Sequence, residues 1–252
     1  IANAARGFAV QIQTAIENII LGFQTAVRPQ IIKQYAQNQK EEVYKLVLMS
    51  SKYGFYLTLL LVAPLLISIE AILNLWLGEI PPYTVEMSVL FLCVELISPF
   101  RIPLLSAIHA TGHIRKFQIY EGIVLLLVVP VAYLLLKFAG ISPSQVIGVY
   151  LLIEVIAQLV RLRIVATSIG LSLRRYIRYL LPLVGVVLLS CGVNWLIRNY
   201  IQGMDLWAII LRSASSVSLV LMSIFLVGLE RNERGQIMGL IKTKIWKRIG
   251  KH

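Results

Sequence analysis

Charge is scarce in this chain. Only 14% of its 252 residues are Asp, Glu, Lys or Arg, whereas 58% are hydrophobic and the mean hydropathy is +0.79. A typical soluble domain carries about 25% charged residues. The shortage excludes an ordinary soluble enzyme, a disordered chain and a collagen-like or coiled-coil fibre. Cysteine is nearly missing as well. Cys93 and Cys191 both sit in apolar runs, so there is no disulfide framework and no metal-ligand spacing. His109 and His113 flank a short turn and His252 is terminal, so histidine builds no cluster either. The signatures GxxxxGK[ST], GxSxG and HExxH do not occur. No enzymatic activity, cofactor or metal is therefore expected.

Long apolar runs are what the chain does have. A bilayer-crossing helix needs about 20 mostly apolar residues, and seven stretches qualify: 2–27, 46–76, 84–108, 117–137, 144–168, 178–198 and 206–229. The connectors between them carry turn chemistry, as in Leu77-Gly78-Glu79-Ile80-Pro81-Pro82 and Gly140-Ile141-Ser142-Pro143. The segment from Lys33 to Glu42 reads as an amphipathic, turn-rich connector. No strand-length alternation appears. The expected fold is an all-α polytopic membrane helix bundle of seven transmembrane helices (residues 1–229), followed by a basic tail (230–252).

The net charge of +12 would suggest nucleic acid on a soluble protein. Here its placement points to topology instead, and no nucleic-acid partner is expected. Basic residues gather on alternate connectors: Arg28, Lys33, Lys40, Lys45 and Lys52, then Arg115 and Lys116, then Arg174, Arg175 and Arg178, then the tail with Arg231, Arg234 and Lys242 through Lys251. The opposite connectors hold Lys137 and Arg198 only. By the positive-inside rule the first set, and the C-terminus with it, is cytoplasmic. The first helix then enters from outside, and Ile1-Ala2-Asn3-Ala4 is no translation start, so the chain is expected to be the C-terminal part of a longer one.

Five arginines remain inside the runs: Arg6, Arg101, Arg161, Arg163 and Arg212. A charge at membrane depth costs a few kcal/mol and faces a partner or water. At 100° per residue, Arg6, Gln13, Glu17, Gln24 and Arg28 fall within about 40° of one line along the first helix. This stripe is either the wall of a hydrated pathway or a buried polar interface with neighbouring helices. Tyr150, Glu154, Gln158 and Arg161 form a shorter stripe on the fifth run, where Arg161 is expected to reach the interface by snorkelling. Arg212, near one end of the last run, is expected to be neutralised nearby. Arg101 lies between Pro99 and Pro103, where a bent helix either lines a cavity or simply kinks. The candidate substrate-binding residues are Arg6, Gln13, Glu17, Gln24 and Arg101.

Two runs on these helices carry a resemblance: Ala4-Ala5-Arg6-Gly7-Phe8-Ala9-Val10-Gln11-Ile12, and Gly22-Phe23-Gln24-Thr25-Ala26-Val27-Arg28-Pro29-Gln30-Ile31-Ile32-Lys33. With Leu75-Trp76-Leu77-Gly78, Pro82-Tyr83-Thr84, Ala110-Thr111-Gly112 and Lys116-Phe117-Gln118, they resemble the oligosaccharide flippases of bacterial polysaccharide biosynthesis. That family shares a superfamily with the multidrug and toxic-compound extrusion antiporters. The resemblance implies the C-terminal lobe of a two-lobe transporter in the bacterial inner membrane, partnered by an N-terminal lobe of the same chain. It further implies a polyprenyl-pyrophosphate-linked oligosaccharide as substrate, flipped from the cytoplasmic to the outer leaflet, with Arg6 at the headgroup. Membrane lipid is the other expected partner. A drug/cation antiporter, which calls for a carboxylate-dominated cavity, is the alternative within the superfamily. A polysaccharide polymerase would need a sizeable outer loop that the chain lacks, and an inert scaffold is a further alternative.

Overall fold

The computed structural model describes residues 2–201, 203–230 and 233–235, so the stretch Lys242–Lys251 and most of the tail lie outside the described residues. Every regular element among them is helical. The chain runs α1 (Ala2–Thr25), α2 (Arg28–Ala36), α3 (Lys40–Leu77), α4 (Thr84–Glu95), α5 (Ser98–Thr111), α6 (Ile114–Leu126), α7 (Val128–Leu134), α8 (Pro143–Ile169), α9 (Leu173–Tyr200) and α10 (Leu206–Ser223). Single π-helical turns extend α7 over Leu135–Ala139 and α10 over Ile224–Gly228.

Among the described residues, five helical units are long and apolar enough to cross a membrane: Lys40–Leu77, Thr84–Thr111, Ile114–Ala139, Leu173–Tyr200 and Leu206–Gly228. The seven spans expected from the sequence are not confirmed on this measure. The two remaining expected spans are helices as well, α1 of 24 residues and α8 of 27. Both carry polar stripes, Arg6, Gln13, Glu17 and Gln24 on α1 and Tyr150, Glu154, Gln158 and Arg161 on α8. One correction concerns the connector after α1. Its first part, Arg28–Ala36, is a short helix opened by Pro29, and the turn is confined to Gln37–Gln39.

Two helical units are broken in the same way. α4 ends at Glu95, four residues before Pro99, and α6 ends at Leu126, four residues before Pro130. Proline has no N–H for the carbonyl four residues earlier and its ring crowds that carbonyl, so the ladder stops there.

The helices run up and down, which brings the basic connectors to one end. Arg28 Nη2 donates to His109 Nδ1 (3.2 Å), Arg175 Nη1 to Glu41 Oε2 (2.8 Å) and the Tyr44 hydroxyl to the Ser172 carbonyl (3.0 Å) at that end. At the opposite end Phe8 packs edge-on against Trp76 with centroids 5.6 Å apart. The core beneath the basic end joins Ile31, Val47, Leu104, Phe117, Val165 and Tyr176. A second cluster ties α3 to α9 and α10 through Phe55, Leu59, Val186 and Val220, and a third joins α1, α3 and α4 through Ile16, Ile20, Val62 and Leu92. α6 and α7 bury almost none of their apolar surface within the fold.

After α10 the chain turns back onto α3. Tyr56 donates to the Gly228 carbonyl (2.7 Å), and the buried Lys52 Nζ reaches both Glu233 carboxylate oxygens at 2.9 and 2.7 Å. The Tyr53 hydroxyl and the Glu230 amide donate to the same carboxylate, each at 2.7 Å.

Candidate substrate cavity

α1 packs lengthwise along α4 and meets α3 and α5, while α8 closes the other side of α4 and α5. The polar stripe of α1 therefore looks at the broken helix, and the consequence changes with depth. Near its start, Arg6 and Gln13 line a cavity of about 910 Å³ between α1, α4, α5, α6, α7 and α8. Arg101, Tyr150 and Glu154 line it too, beside apolar side chains such as Leu125, Val128 and Leu136.

Deeper, Gln13, Glu17, Glu95, Ser98, Arg101, Tyr150 and Glu154 enclose a polar chamber of about 140 Å³. Arg101 Nη2 donates to Glu17 Oε1 at 3.1 Å, and Gln13 Nε2 to Glu95 Oε2 at 3.4 Å. Glu95 is 1% exposed, with Ser98 beside it in the chamber lining. Toward the basic end a pocket of about 250 Å³ is lined by Gln24, Arg28, Arg101, His109 and Glu121. There Gln24 is 2% exposed and donates from Nε2 to the Pro99 carbonyl at 3.1 Å. Arg101 thus borders all three spaces, because the α4–α5 break carries it between them.

The five candidate residues come to one side of the bundle, in different settings. Arg6 is exposed at the large cavity, Gln13 and Glu17 are half-buried, Gln24 is buried between helices, and Arg101 is half-buried at the junction. Sequence reasoning did not name Glu95, Ser98, Tyr150 and Glu154 as site residues. Tyr150 and Glu154 were visible as a stripe on α8, but nothing local placed that stripe opposite α1. Arg161 departs from expectation. Instead of snorkelling it is 1% exposed, donating from Nε to Glu121 Oε1 (2.6 Å) and from Nη1 to Glu154 Oε1 (2.8 Å) and Gln158 Oε1 (3.1 Å). Arg163 is exposed on the other side of α8.

No protein-family model, curated protein or solved structure matches the chain. The resemblance of the runs in α1 and α2 stands on those residues alone.

Proposed function

We propose that the chain is the C-terminal lobe of an alternating-access transporter that flips polyprenyl-pyrophosphate-linked oligosaccharide across a bacterial inner membrane. The observation that carries this reading is the large cavity, which sets the guanidinium groups of Arg6 and Arg101 among apolar walls. Guanidinium groups pair bidentately with phosphate oxygens, and apolar walls tolerate the first isoprene units. The outer face of α1 adds support. Asn3, Gln11, Thr14 and Asn18 are exposed there, and polar side chains at membrane depth suit a second lobe or water better than lipid. In this reading the basic end is cytoplasmic, the C-terminus with it, and no covalent chemistry takes place.

The polar chamber favours a second reading. Glu17, Glu95 and Glu154 outnumber Arg101 there, the balance expected of a drug/cation antiporter.

One experiment separates the two. The complete gene is deleted in its host and returned as wild type, Arg6→Ala or Glu95→Gln, with surface polysaccharide, inner-leaflet lipid-linked intermediate and drug sensitivity measured. A flippase loses surface polymer and accumulates intermediate on deletion, and well-expressed Arg6→Ala does not restore it. Normal polymer with new drug sensitivity, unrescued by Glu95→Gln, overturns the flippase and selects the antiporter.

A further inference from the structure

Away from the substrate cavity, at the end opposite the basic connectors, α3, α4, α9 and α10 enclose a cavity of about 280 Å³. Its polar lining is Ser68, Glu70, Arg198, Arg212 and the backbone at Gly203 and Met204. Arg212 is 7% exposed and has no carboxylate partner among the described residues. The nearby neutralisation expected from sequence is not found among them. The guanidinium is held instead by two carbonyls, Nη2 donating to Gly203 (2.7 Å) and Nε to Ala208 (3.3 Å). A buried cation satisfied only by dipoles keeps its full charge available for an anion. Arg198, exposed on the last turn of α9, makes no ion pair with the described residues either.

The second observation is Ser68. Its side chain is 1% exposed, it lines the cavity, and its hydroxyl has no hydrogen-bond partner among the described residues. A serine in mid-helix can return its hydroxyl to the carbonyl one turn back; Ser88 and Ser106 do so here, while Ser190 and Ser216 are, like Ser68, buried with no partner among the described residues. Ser68 leaves that donor free. Two uncompensated arginines, an idle hydroxyl and one exposed carboxylate, Glu70, make a net cationic recess.

Depth says where its anion comes from. Trp195, Tyr200 and Trp207 are exposed at the same end of α9 and α10, and exposed aromatics of this kind mark the headgroup level of a bilayer. The bond from Arg212 to Gly203 lifts its guanidinium out of α10 toward that level. We infer that this recess is a phosphate site for an anionic phospholipid headgroup, separate from the substrate cavity and independent of which substrate the protein carries.

The test is lipid retention by the purified full chain. Phosphatidylglycerol and phosphatidylcholine are titrated in detergent and counted by native mass spectrometry, for wild type, Arg212→Gln, Arg198→Gln, Ser68→Ala and the control Lys137→Gln. Inorganic phosphate is added in a parallel arm. The expected result is one preferential phosphatidylglycerol on wild type and Lys137→Gln, weakened about tenfold in Arg198→Gln, the equivalent of one charge-assisted hydrogen bond. Arg198 and Ser68 carry the test if Arg212→Gln fails to fold. Displacement by inorganic phosphate would keep the anion site and move its source from lipid to free phosphate. Equal retention of phosphatidylglycerol by wild type, Arg198→Gln and Ser68→Ala would overturn the proposal.

Discussion

Two buried cations show how differently single residues solve the same electrostatic problem. Arg161 sits between Glu121 and Glu154, and removing one member of such a network strands the others, at a cost of about 3–5 kcal/mol. Lys52 is as deeply buried but depends on one partner, Glu233, 181 residues away. Burial alone would raise the Glu233 carboxyl above its ordinary value. The hydrogen bonds from Lys52, the Glu230 amide and Tyr53 outweigh it, and the group lies below that value. A depressed carboxyl contributes stability that is fully present above its unfolded value, about 4.3, and is lost as pH falls through the folded one. Glu233→Gln is therefore expected to melt below wild type at neutral pH, with the gap closing in acid. Fluorescence-detected melting across that range checks it, and a gap that stays constant with pH would show that the carboxylate charge contributes nothing.

At the scale of elements the α4–α5 break is the organising feature, and Gly54 of α3 shows how closely it is packed. A Cβ there would stand 2.5 Å from Gln24 Nε2 and 3.3 Å from Pro99 Cβ, so three helices meet at a position with no room for a side chain. Gly54→Leu should push Gln24 off the Pro99 carbonyl and cost about 1–3 kcal/mol by overpacking. Gly22→Leu, at an open position on α1, should leave the melting temperature unchanged; equal losses at both sites would show that Gly54 has no special role. The break itself was legible in sequence from Pro99 and Pro103, and the α1 stripe from helical periodicity. Their partners were not. Gln13 meets Glu95 across 82 positions, and Arg101 meets Glu17 across 84. Periodicity says which face of a helix is polar, never which helix that face meets.

For the molecule as a whole, the question is whether the three spaces bordered by Arg101 form one route. Their order along α1 is a large cavity at Arg6, a polar chamber at Glu17 and a pocket at Gln24, with the Arg101–Glu17 pair between the first and last. In this arrangement Gln13 faces open space and Gln24 is sealed between α1, α3 and α5. Cysteine labelling reads that asymmetry directly. With Cys93 and Cys191 replaced by serine, Gln13→Cys should react with a membrane-impermeant maleimide and Gln24→Cys should be spared. A transporter that alternates must at some point open the Gln24 end as well, since access on one side closes as the other opens. Substrate or a coupling gradient should then raise labelling at Gln24→Cys while lowering it at Gln13→Cys. Protection of both positions under every condition would make the stripe a permanent interface between helices and remove the pathway from this lobe.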